Sequence, residues 1–373
     1  MKIPLSAPDI TEAEIEAVVS VLRTSRLSLG PVTEQFEAGI AEYVSLPHAV
    51  AVSSGTAGLH LCIRALGIGE GDEVIVPSFT FIAAANAIRY ERATPVFADI
   101  DPGTLNIDPQ KIEEAITPRT RAILAVHTFG VPAEMTAILD IAQRHGLLVI
   151  EDACEALGAE YRGCRVGSMA NAGVFAFYPN KQITTGEGGV VVTRDEDLAR
   201  RIRALRNQGR YESDDWFQHT ELGYNYRISD INCALGLAQM GRLEEILQKR
   251  AEVASAYHQR LSHCPELSLP PAALASGRIS WFVYVVRVNA GGHLERDAIM
   301  RGLAAAGIAS GRYFAPIHLQ PSYAAWRHSA NLAVTEAVAS RTLALPFFNN
   351  LEAEAIDYVC DALGRLLLSR QAP

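Results

Sequence analysis

The sequence predicts an α/β protein with a large domain, built on a mostly parallel central sheet flanked by helices, and a smaller C-terminal α+β domain. Short apolar runs rich in Val, Ile and Ala recur from about residue 48, and such runs without polar alternation are typical of strands buried on both faces. Helical stretches separate several of these runs, which favours parallel pairing. The 373 residues suffice for two or three domains of about 150 residues each.

The large domain is expected to span residues 1–240 and to begin with a helical segment. Two amphipathic helices are predicted over residues 11–23 and 33–44, with the turn Leu27–Pro31 between them. The apolar runs predict strands at 48–53, 73–77, 94–99, 122–127, 147–152, 172–178 and 188–193. Helices between these strands include 56–66, 109–116 and 134–145.

The smaller domain is expected to span residues 241–373. A long helix from about Ser229 to Tyr257 should lead out of the large domain, and Pro270-Pro271 marks a connector after it. The elements predicted beyond the connector are a strand at 279–288, a helix at 296–305, a short strand near 310–314 and a closing helix at 352–369.

The charge balance argues against a nucleic-acid partner. Lys and Arg number 33 and Asp and Glu number 42, which gives a net charge of −9, whereas sequence-independent binding to nucleic acid needs a basic surface. A small anionic ligand is still permitted, because one helix start and one or two arginines can hold a phosphate. The hydrophobic content of 49% excludes intrinsic disorder as the main state.

The cysteines and the N-terminus indicate a cytoplasmic protein. The six cysteines are scattered without a C-x-x-C pair, so neither a disulfide framework nor a metal site is predicted. The first residues run quickly into Asp9, Glu12 and Glu14, where the apolar core of a signal peptide does not fit. No stretch approaches the ~20 apolar residues of a membrane helix, so no membrane contact is expected.

The segment Ser54-Gly55-Thr56 lies between a predicted strand and a predicted helix. Free backbone N–H groups at a helix start, together with the helix dipole, form a site for an anion. Gly55 permits close approach, and Ser54 and Thr56 add hydroxyl donors. The same pattern is typical of a serine that only caps a helix, and the segment alone leaves both interpretations open.

Asp152 ends an apolar run, at the edge of the sheet where ligands bind in open α/β folds. It is a candidate partner for a cationic ligand atom, and the alternative is a solvated strand end. Lys181 follows the next predicted strand and precedes a glycine-rich stretch. A lysine partly withdrawn from water has a lowered pKa and can form a Schiff base, although most lysines are solvated surface groups.

The glycine-rich stretch after Lys181 lacks the G-x-x-x-x-G-K-[ST] spacing, so a P-loop is excluded. The three segments together offer a phosphate cradle, an acid for a ring nitrogen and an amine for an aldehyde, which are the groups that pyridoxal phosphate requires. Phe81 is a candidate to stack on the cofactor ring, and its alternative is an ordinary core aromatic.

With these segments in view, the chain resembles the DegT/DnrJ/EryC1/StrS family of sugar aminotransferases, which are pyridoxal-phosphate enzymes of fold type I. The resemblance runs nearly end to end. The matching segments are Leu29-Gly30-Pro31, Ser54-Gly55-Thr56-Ala57, Pro77-Ser78-Phe79-Thr80-Phe81, Glu151-Asp152-Ala153, Asn180-Lys181, Gly186-Glu187-Gly188-Gly189, Leu205-Arg206-Asn207-Gln208-Gly209-Arg210, Gly223-Tyr224-Asn225-Tyr226-Arg227 and Pro316-Ile317-His318-Leu319-Gln320-Pro321.

The resemblance implies a catalytic role for two residues. Lys181 would form a Schiff base with the cofactor and move the proton, and Asp152 would pair with the pyridine nitrogen. Phe81 would stack on the ring. The enzyme would take an amino group from glutamate, pass through the pyridoxamine 5'-phosphate form, and deliver the group to a nucleotide-linked keto sugar with ping-pong kinetics.

The resemblance also implies the remaining cofactor contacts. Gly55 and Thr56 would hold the phosphate, and Asn225 would reach the phosphate of the neighbouring subunit's cofactor, so the working unit would be a homodimer with shared active sites. Ala176 stands where the family often has a phosphate-binding serine. Glu155 stands near the cofactor's 3-hydroxyl, where many relatives carry Gln or His, and its segment is similar to members that aminate C-4 of the sugar.

Substrate recognition is expected around Arg312, Tyr313 and His318, which the resemblance implies to be near the active site. Arg312 could bind a carboxylate or diphosphate. His318 could equally be a structural histidine, and Arg227 could also be structural.

Three rival functions remain open. A dehydratase of the same family would use pyridoxamine phosphate, but those relatives typically carry His in place of the lysine. A racemase or lyase of fold type I, or a non-catalytic sensor, fits the matching segments less well. The sequence therefore predicts an aminotransferase for a nucleotide-linked 4-keto-6-deoxy sugar, with a 3-keto sugar as the alternative.

Overall fold

The computed structural model describes residues 1–275, 277–289, 295–326 and 331–368. The strands within these residues are β1 (His48–Val52), β2 (Glu73–Pro77), β3 (Thr94–Ala98), β4 (Thr120–Val126), β5 (Leu148–Asp152), β6 (Glu160–Tyr161), β7 (Cys164–Arg165), β8 (Ala172–Ala176), β9 (Gly189–Thr193), β10 (Leu267–Ser268), β11 (Gly277–Arg278), β12 (Tyr284–Val288) and β13 (Thr342–Leu345). The α-helices are α1 (Glu12–Leu22), α2 (Pro31–Val44), α3 (Gly55–Ala65), α4 (Ala83–Tyr90), α5 (Pro109–Ala115), α6 (Met135–His145), α7 (Glu196–Arg206), α8 (Asp230–Gly241), α9 (Leu243–Leu261), α10 (Arg296–Ala305), α11 (Ala333–Ala339) and α12 (Ala353–Leu368).

The central sheet has seven strands in the order β1-β9-β8-β5-β4-β2-β3. The pairs β3–β2, β2–β4, β4–β5 and β5–β8 are parallel, and β9 is antiparallel to both of its neighbours. The mostly parallel sheet expected from the apolar runs is therefore confirmed. Parallel strands need crossover connections, and the helices between them supply these.

Both faces of this sheet are covered, as continuous apolar strands require. On β1, Ala49 and Ala51 join one buried cluster with Phe36 of α2. The alternating residues Val50 and Val52 join a second cluster with residues of α3, α4 and α7. The site described below lies at one edge of this sandwich of helices and sheet.

The smaller sheet, β10-β12-β13, is antiparallel and packs with α10, α12 and the second half of α9. Leu243 and Leu247 at the start of α9 belong to the core of the large sheet, whereas Tyr257 and Leu261 at its end belong to the smaller core. Ile3 also packs into the smaller core. The domain boundary near residue 240 stays a prediction.

Two expected elements differ from the structure. The helix expected over Ser229–Tyr257 is two helices, α8 and α9, separated at Arg242. Gly241 is a poor helix former, and the Arg242 guanidinium lies 3.0 Å from Glu14 and 3.3 Å from Asp9, so the N-terminal segment holds the chain at the break.

The strand expected near 310–314 is also wrong, since Gly311 alone forms a bridge there, to Ala344 of β13. The residues after Gly311 do not continue along β13, because Tyr313 and Phe314 pack against Phe129. The closing helix matches α12, and its expected last residue, 369, lies outside the described residues. None of the helices in the described ranges has both the length and the apolar character needed to cross a membrane.

Candidate active site

A cavity of about 510 Å³ opens where three neighbouring parallel strands end. The last residues of β4, β5 and β8, namely Val126, Asp152 and Ala176, line it together with the start of α3, as expected for the carboxyl edge of an open sheet. The full lining is Ser54, Gly55, Thr56, Leu59, Thr80, Phe81, Ala83, Val126, Asp152, Cys154, Glu155, Ala176, Tyr178, Asn180, Lys181, Glu187, Gly188, Phe282, Tyr313 and Phe314.

The turn before α3 both caps the helix and borders the cavity. The Ser54 hydroxyl accepts a hydrogen bond from the backbone N–H of Ala57 at 3.1 Å, so Ser54 is the N-cap. A Cβ on Gly55 would lie 2.6 Å from the Ala176 Cβ and 2.9 Å from the Cys154 sulfur, so only glycine lets the helix start approach these strands. Capping and anion binding are thus compatible here.

Asp152 is buried at the cavity wall, with 7% of its surface exposed, so the alternative of a solvated strand end is excluded. Within the described residues its carboxylate accepts hydrogen bonds from Cys154 alone, whose backbone N–H donates at 3.1 Å. Burial raises the pKa of Asp152, and the hydrogen bonds from Cys154 and the positive charge of Lys181 offset only part of that rise. A cationic ligand atom would relieve the cost of ionising this carboxyl.

Lys181 points into the same cavity and is not a surface lysine. Its side chain is 14% exposed, and its Nζ lies 3.6 Å from Glu155 Oε1 and 4.0 Å from the centre of the Phe282 ring. The amine is therefore held between a carboxylate and an aromatic face.

Glu155 lines the same cavity and lies beside Lys181. Its second oxygen accepts a hydrogen bond from the backbone N–H of Phe129 at 2.9 Å. Phe129 has a φ of +57°, within the 3₁₀ turn Thr128–Gly130, and this unusual backbone aims its N–H at the carboxylate. Burial raises the pKa of Glu155, which the Lys181 charge partly offsets.

Aromatic rings form the mouth and one wall. Phe81 is 60% exposed at the mouth, so the alternative of a core aromatic is wrong. Phe282, Tyr313 and Phe314 come from the C-terminal part of the chain and close the opposite wall. Burial raises the pKa of Tyr313, so its hydroxyl stays neutral near Glu155.

The structure brings eight of the predicted residues together in this cavity: Gly55, Thr56, Phe81, Asp152, Glu155, Ala176, Lys181 and Tyr313. Three others lie outside it. Asn225 is exposed and does not line the cavity. Arg312 is 58% exposed at the side chain and donates to Asp297 at 2.7 Å.

His318, the third of these residues, is buried. Its Nδ1 lies 2.7 Å from the Ser78 hydroxyl and its Nε2 lies 3.1 Å from Glu336. Both ring nitrogens therefore have partners, which fits the structural interpretation of this histidine, and a substrate role stays a prediction.

Asn180 and Phe282 also line the cavity, although sequence reasoning assigned no role to either residue. The side-chain oxygen of Asn180 is buried and has no hydrogen-bond partner among the described groups, which marks it as available to a ligand. Its position beside Lys181 was the available signal. No sequence pattern indicated Phe282, because its approach to the cavity depends on how the C-terminal part of the chain packs.

Comparison with known proteins identifies the family of this chain. A family model described as the DegT/DnrJ/EryC1/StrS aminotransferase family matches residues 8–364. A GDP-perosamine synthase from Caulobacter vibrioides is 43% identical over 375 residues, covering 98% of this chain and 99% of the relative.

Solved structures of sugar aminotransferases share the fold. The Spr1654 protein of Streptococcus pneumoniae, a putative sugar aminotransferase solved in its PLP form, is 29% identical, with a TM-score of 0.94 and coverage of 99% and 100%. DesI, solved in the presence of its TDP-sugar product, is 34% identical, with a TM-score of 0.92 and coverage of 99% and 94%. These likenesses over the whole chain confirm the fold class.

Proposed function

Because this chain belongs to the DegT/DnrJ/EryC1/StrS aminotransferase family, we propose that it uses pyridoxal 5'-phosphate to move an amino group from glutamate to a nucleotide-linked 6-deoxy sugar. The acceptor is the C-4 keto group, with a C-3 keto sugar as the alternative. The observation that carries the proposal is the presence of Lys181, Asp152 and the turn 54–56 in one cavity.

The residues present fit this cofactor. Gly55 leaves the helix start open to a phosphate, Asp152 is a buried acid whose pKa is raised by burial, and Asn180 has a buried side-chain oxygen without a hydrogen-bond partner among the described groups. When bound, pyridoxal phosphate supplies an aldehyde that carries the amino group and a ring that accepts the electron pair of a broken C–H bond.

The turn 54–56 would hold the phosphate. Ser54 uses its hydroxyl as the cap of α3, so the backbone N–H groups of Gly55 and Thr56, the Thr56 hydroxyl and the helix dipole would bind the anion. Ala176 contributes a methyl group at this point where a serine would contribute a donor. Phe81 would cover one face of the ring, and Glu155 would lie near the 3-hydroxyl.

Asp152 would keep the ring nitrogen protonated. An ionised carboxylate buried beside that nitrogen stabilises its positive charge, and the cationic ring withdraws electrons more strongly. The pKa of Asp152 is raised by burial even with Lys181 nearby, which supports a cationic ligand atom as a further partner of this carboxyl.

Lys181 would bind the aldehyde through Nζ and, once displaced by the incoming amine, move the proton at the carbon next to nitrogen. Its position within the cavity makes that transfer intramolecular, which is the main source of its efficiency. Glu155, whose Oε1 lies 3.6 Å from Lys181 Nζ, would stabilise the protonated form of this amine. A lysine at this position also argues against the dehydratase alternative.

The substrate class is tested with a panel of keto sugars. GDP-, dTDP- and UDP-linked 4-keto-6-deoxy and 3-keto-6-deoxy sugars are each supplied with glutamate, and products are identified by mass spectrometry and NMR. The names of the two relatives put GDP and TDP first. Amination at C-4 that disappears in Lys181→Ala is the expected result, and turnover of no sugar by cofactor-loaded protein would overturn the substrate class.

We propose further that the enzyme is a homodimer in which Asn225 serves the partner's cofactor, with domains over 1–240 and 241–373. Asn225 is exposed and outside this subunit's cavity, which supports a role across an interface. Mixing inactive Lys181→Ala with weakened Asn225→Ala subunits tests this arrangement. A mixed dimer has one intact site only if Lys181 and Asn225 of the same site come from different subunits. We therefore expect activity to recover when the two variants are mixed. An absence of recovery would contradict the arrangement.

A further inference from the structure

A buried polar cluster lies beneath the segment that carries Asn225. His60 and Arg64 are one turn apart on α3, and both reach Glu91, which directly follows α4. The His60 Nε2 lies 2.8 Å from Glu91 Oε1, and an Arg64 nitrogen donates to the other oxygen at 3.1 Å. The side chains of His60 and Glu91 are 5% and 10% exposed, so water does not satisfy them.

Two tyrosines flank Asn225 and close this cluster. The Tyr224 hydroxyl donates to Glu91 Oε1 at 2.7 Å, and the Tyr226 hydroxyl lies 3.0 Å from His60 Nδ1. Their rings are stacked, with centres 5.0 Å apart and planes 10° apart. One assignment satisfies both ring nitrogens of His60 and both tyrosine hydroxyls: neutral His60 donates from Nε2 to Glu91 and accepts from the Tyr226 hydroxyl at Nδ1.

The charges of the cluster agree with that assignment. Burial lowers the pKa of His60, and Glu91 opposes this only in part, so the imidazole stays neutral. Burial by itself would raise the pKa of Glu91, but hydrogen bonds from Tyr224 and His60 and the charge of Arg64 lower it overall. Glu91 therefore accepts hydrogen bonds from His60, Arg64 and Tyr224.

The backbone around Asn225 is held on both sides. The N–H of Tyr224 donates to the Leu205 carbonyl at 2.7 Å, and the N–H of Tyr226 donates to the Arg206 carbonyl at 2.9 Å. Asn225, between the two anchored tyrosines, is exposed. The segment thus presents one amide side chain from a rigid frame.

The same frame is joined to the turn that would hold this subunit's own phosphate. The Tyr226 carbonyl accepts a hydrogen bond at 2.8 Å from the N–H of Ser53, which directly precedes Ser54. Helix α3 therefore contacts the Asn225 frame at two places: before its first turn through Ser53, and one turn along through His60.

We propose that His60, Glu91, Tyr224 and Tyr226 are positioning residues that hold Asn225 in place for the phosphate of the partner subunit's cofactor. The proposal rests on the role of Asn225 given under the proposed function. None of the four residues lines the cavity, so they act through Asn225 and through α3 rather than on the reacting atoms.

A double-mutant cycle tests this dependence. Pyridoxal phosphate is titrated into cofactor-free protein and its dissociation constant is read from the absorbance change. Asn225→Ala should weaken binding about 10- to 100-fold, as for the loss of a hydrogen bond to a charged group. Tyr226→Phe should weaken binding about 3- to 10-fold, and should add nothing in the Asn225→Ala background, because coupled residues are not additive.

Kinetic constants and a matched control variant distinguish a positioning role from a contribution to stability alone. For Tyr226→Phe, the apparent KM for the cofactor should rise while kcat at saturating cofactor stays within about twofold. Tyr257→Phe removes a comparable buried hydroxyl, which donates to the Pro346 carbonyl at 2.8 Å in the smaller domain. That variant should lower the melting temperature and leave the dissociation constant unchanged.

Three results overturn the proposal. The first is an effect of Tyr226→Phe that is additive with Asn225→Ala, and the second is an unchanged affinity in Tyr226→Phe when Asn225→Ala binds weakly. The third is an unchanged affinity in Asn225→Ala itself, which removes the role of Asn225 and the cluster's role with it, while the lysine-dependent reaction stands. If Tyr226→Phe does not fold, Tyr224→Phe takes its place in the same cycle.

Discussion

Two neighbouring carboxylates at the end of β5, Glu151 and Asp152, have opposite surroundings. Glu151 is fully buried and accepts from three backbone N–H groups, those of Gly167 at 2.7 Å, Met169 at 2.7 Å and Ala170 at 2.8 Å. It also lies 3.1 Å from His127 Nε2. Because His127 Nδ1 accepts from the Ala133 N–H at 3.0 Å, its Nε2 carries the proton and donates to Glu151.

The carboxylate of Asp152, by contrast, lines the cavity and accepts hydrogen bonds from Cys154 alone among the described residues. Successive residues of a strand face opposite sides of the sheet, which separates the two environments within one peptide unit. A buried carboxylate with all its acceptor positions filled therefore stabilises the fold, whereas one with unused acceptor positions is available to a ligand.

The largest expected effect comes from Asp152→Asn. The amide cannot stabilise a protonated ring nitrogen, so kcat should fall about 100- to 1000-fold, as for loss of one preorganised electrostatic partner. The fold should be retained, which circular dichroism and the melting temperature of the cofactor-free protein check. Activity near that of the wild type would mean that the two carboxylates do not differ in function.

Glu151→Gln should show the reverse pattern. The amide keeps one acceptor oxygen but turns an NH₂ group toward a backbone N–H, and a buried unsatisfied donor pair costs about 3 kcal/mol of unfolding free energy. Denaturant titration measures this loss. The kcat of the folded, cofactor-saturated fraction should remain close to that of the wild type, and a large fall in kcat would place Glu151 in the chemistry after all.

The pH dependence of the stability of cofactor-free protein tests the environment of Asp152. Since burial raises the pKa of Asp152, the folded state binds this proton more tightly than the unfolded state. Stability is therefore fully present below the unfolded pKa and falls as pH rises through the folded pKa. The melting temperature of Asp152→Asn minus that of the wild type should increase over this range. A difference that shrinks with rising pH would contradict the raised pKa.

The smallest effect is expected at the neighbouring strand end, β8. Ala176→Ser adds a donor beside Gly55, and one new hydrogen bond to the cofactor phosphate should tighten cofactor binding about 3- to 10-fold. Absorbance titration measures the dissociation constant, with Ala176→Val as the control for added volume without a donor. Equal effects of the two substitutions would show that the serine hydroxyl is not used.

Much of this site followed from local pattern. The apolar runs predicted the strands of the central sheet, and their carboxyl ends predicted that Asp152 and the turn at Ser54 would meet at one edge. Lys181 was identified from its place after the next strand and from its family resemblance. These inferences succeed because strand burial and strand direction depend on residues close together in the chain.

The partners of individual side chains were decided by packing. Arg312 pairs with Asp297 and His318 with Ser78 and Glu336, contacts that join residues distant in sequence. The break between α8 and α9 likewise depends on Asp9 and Glu14, which approach Arg242 only in the folded chain.

The sequence by itself determined the alternating α/β architecture, the family, and the lysine and acid on which the proposed chemistry depends, since each is carried by short contiguous segments. Only the tertiary structure decided which groups fill the acceptor positions of Glu151, that Phe282 lines the cavity, and that His60 and Glu91 contact the two tyrosines that flank Asn225. Such contacts join residues far apart in the chain, and their geometry exists only once the helices and sheets have packed.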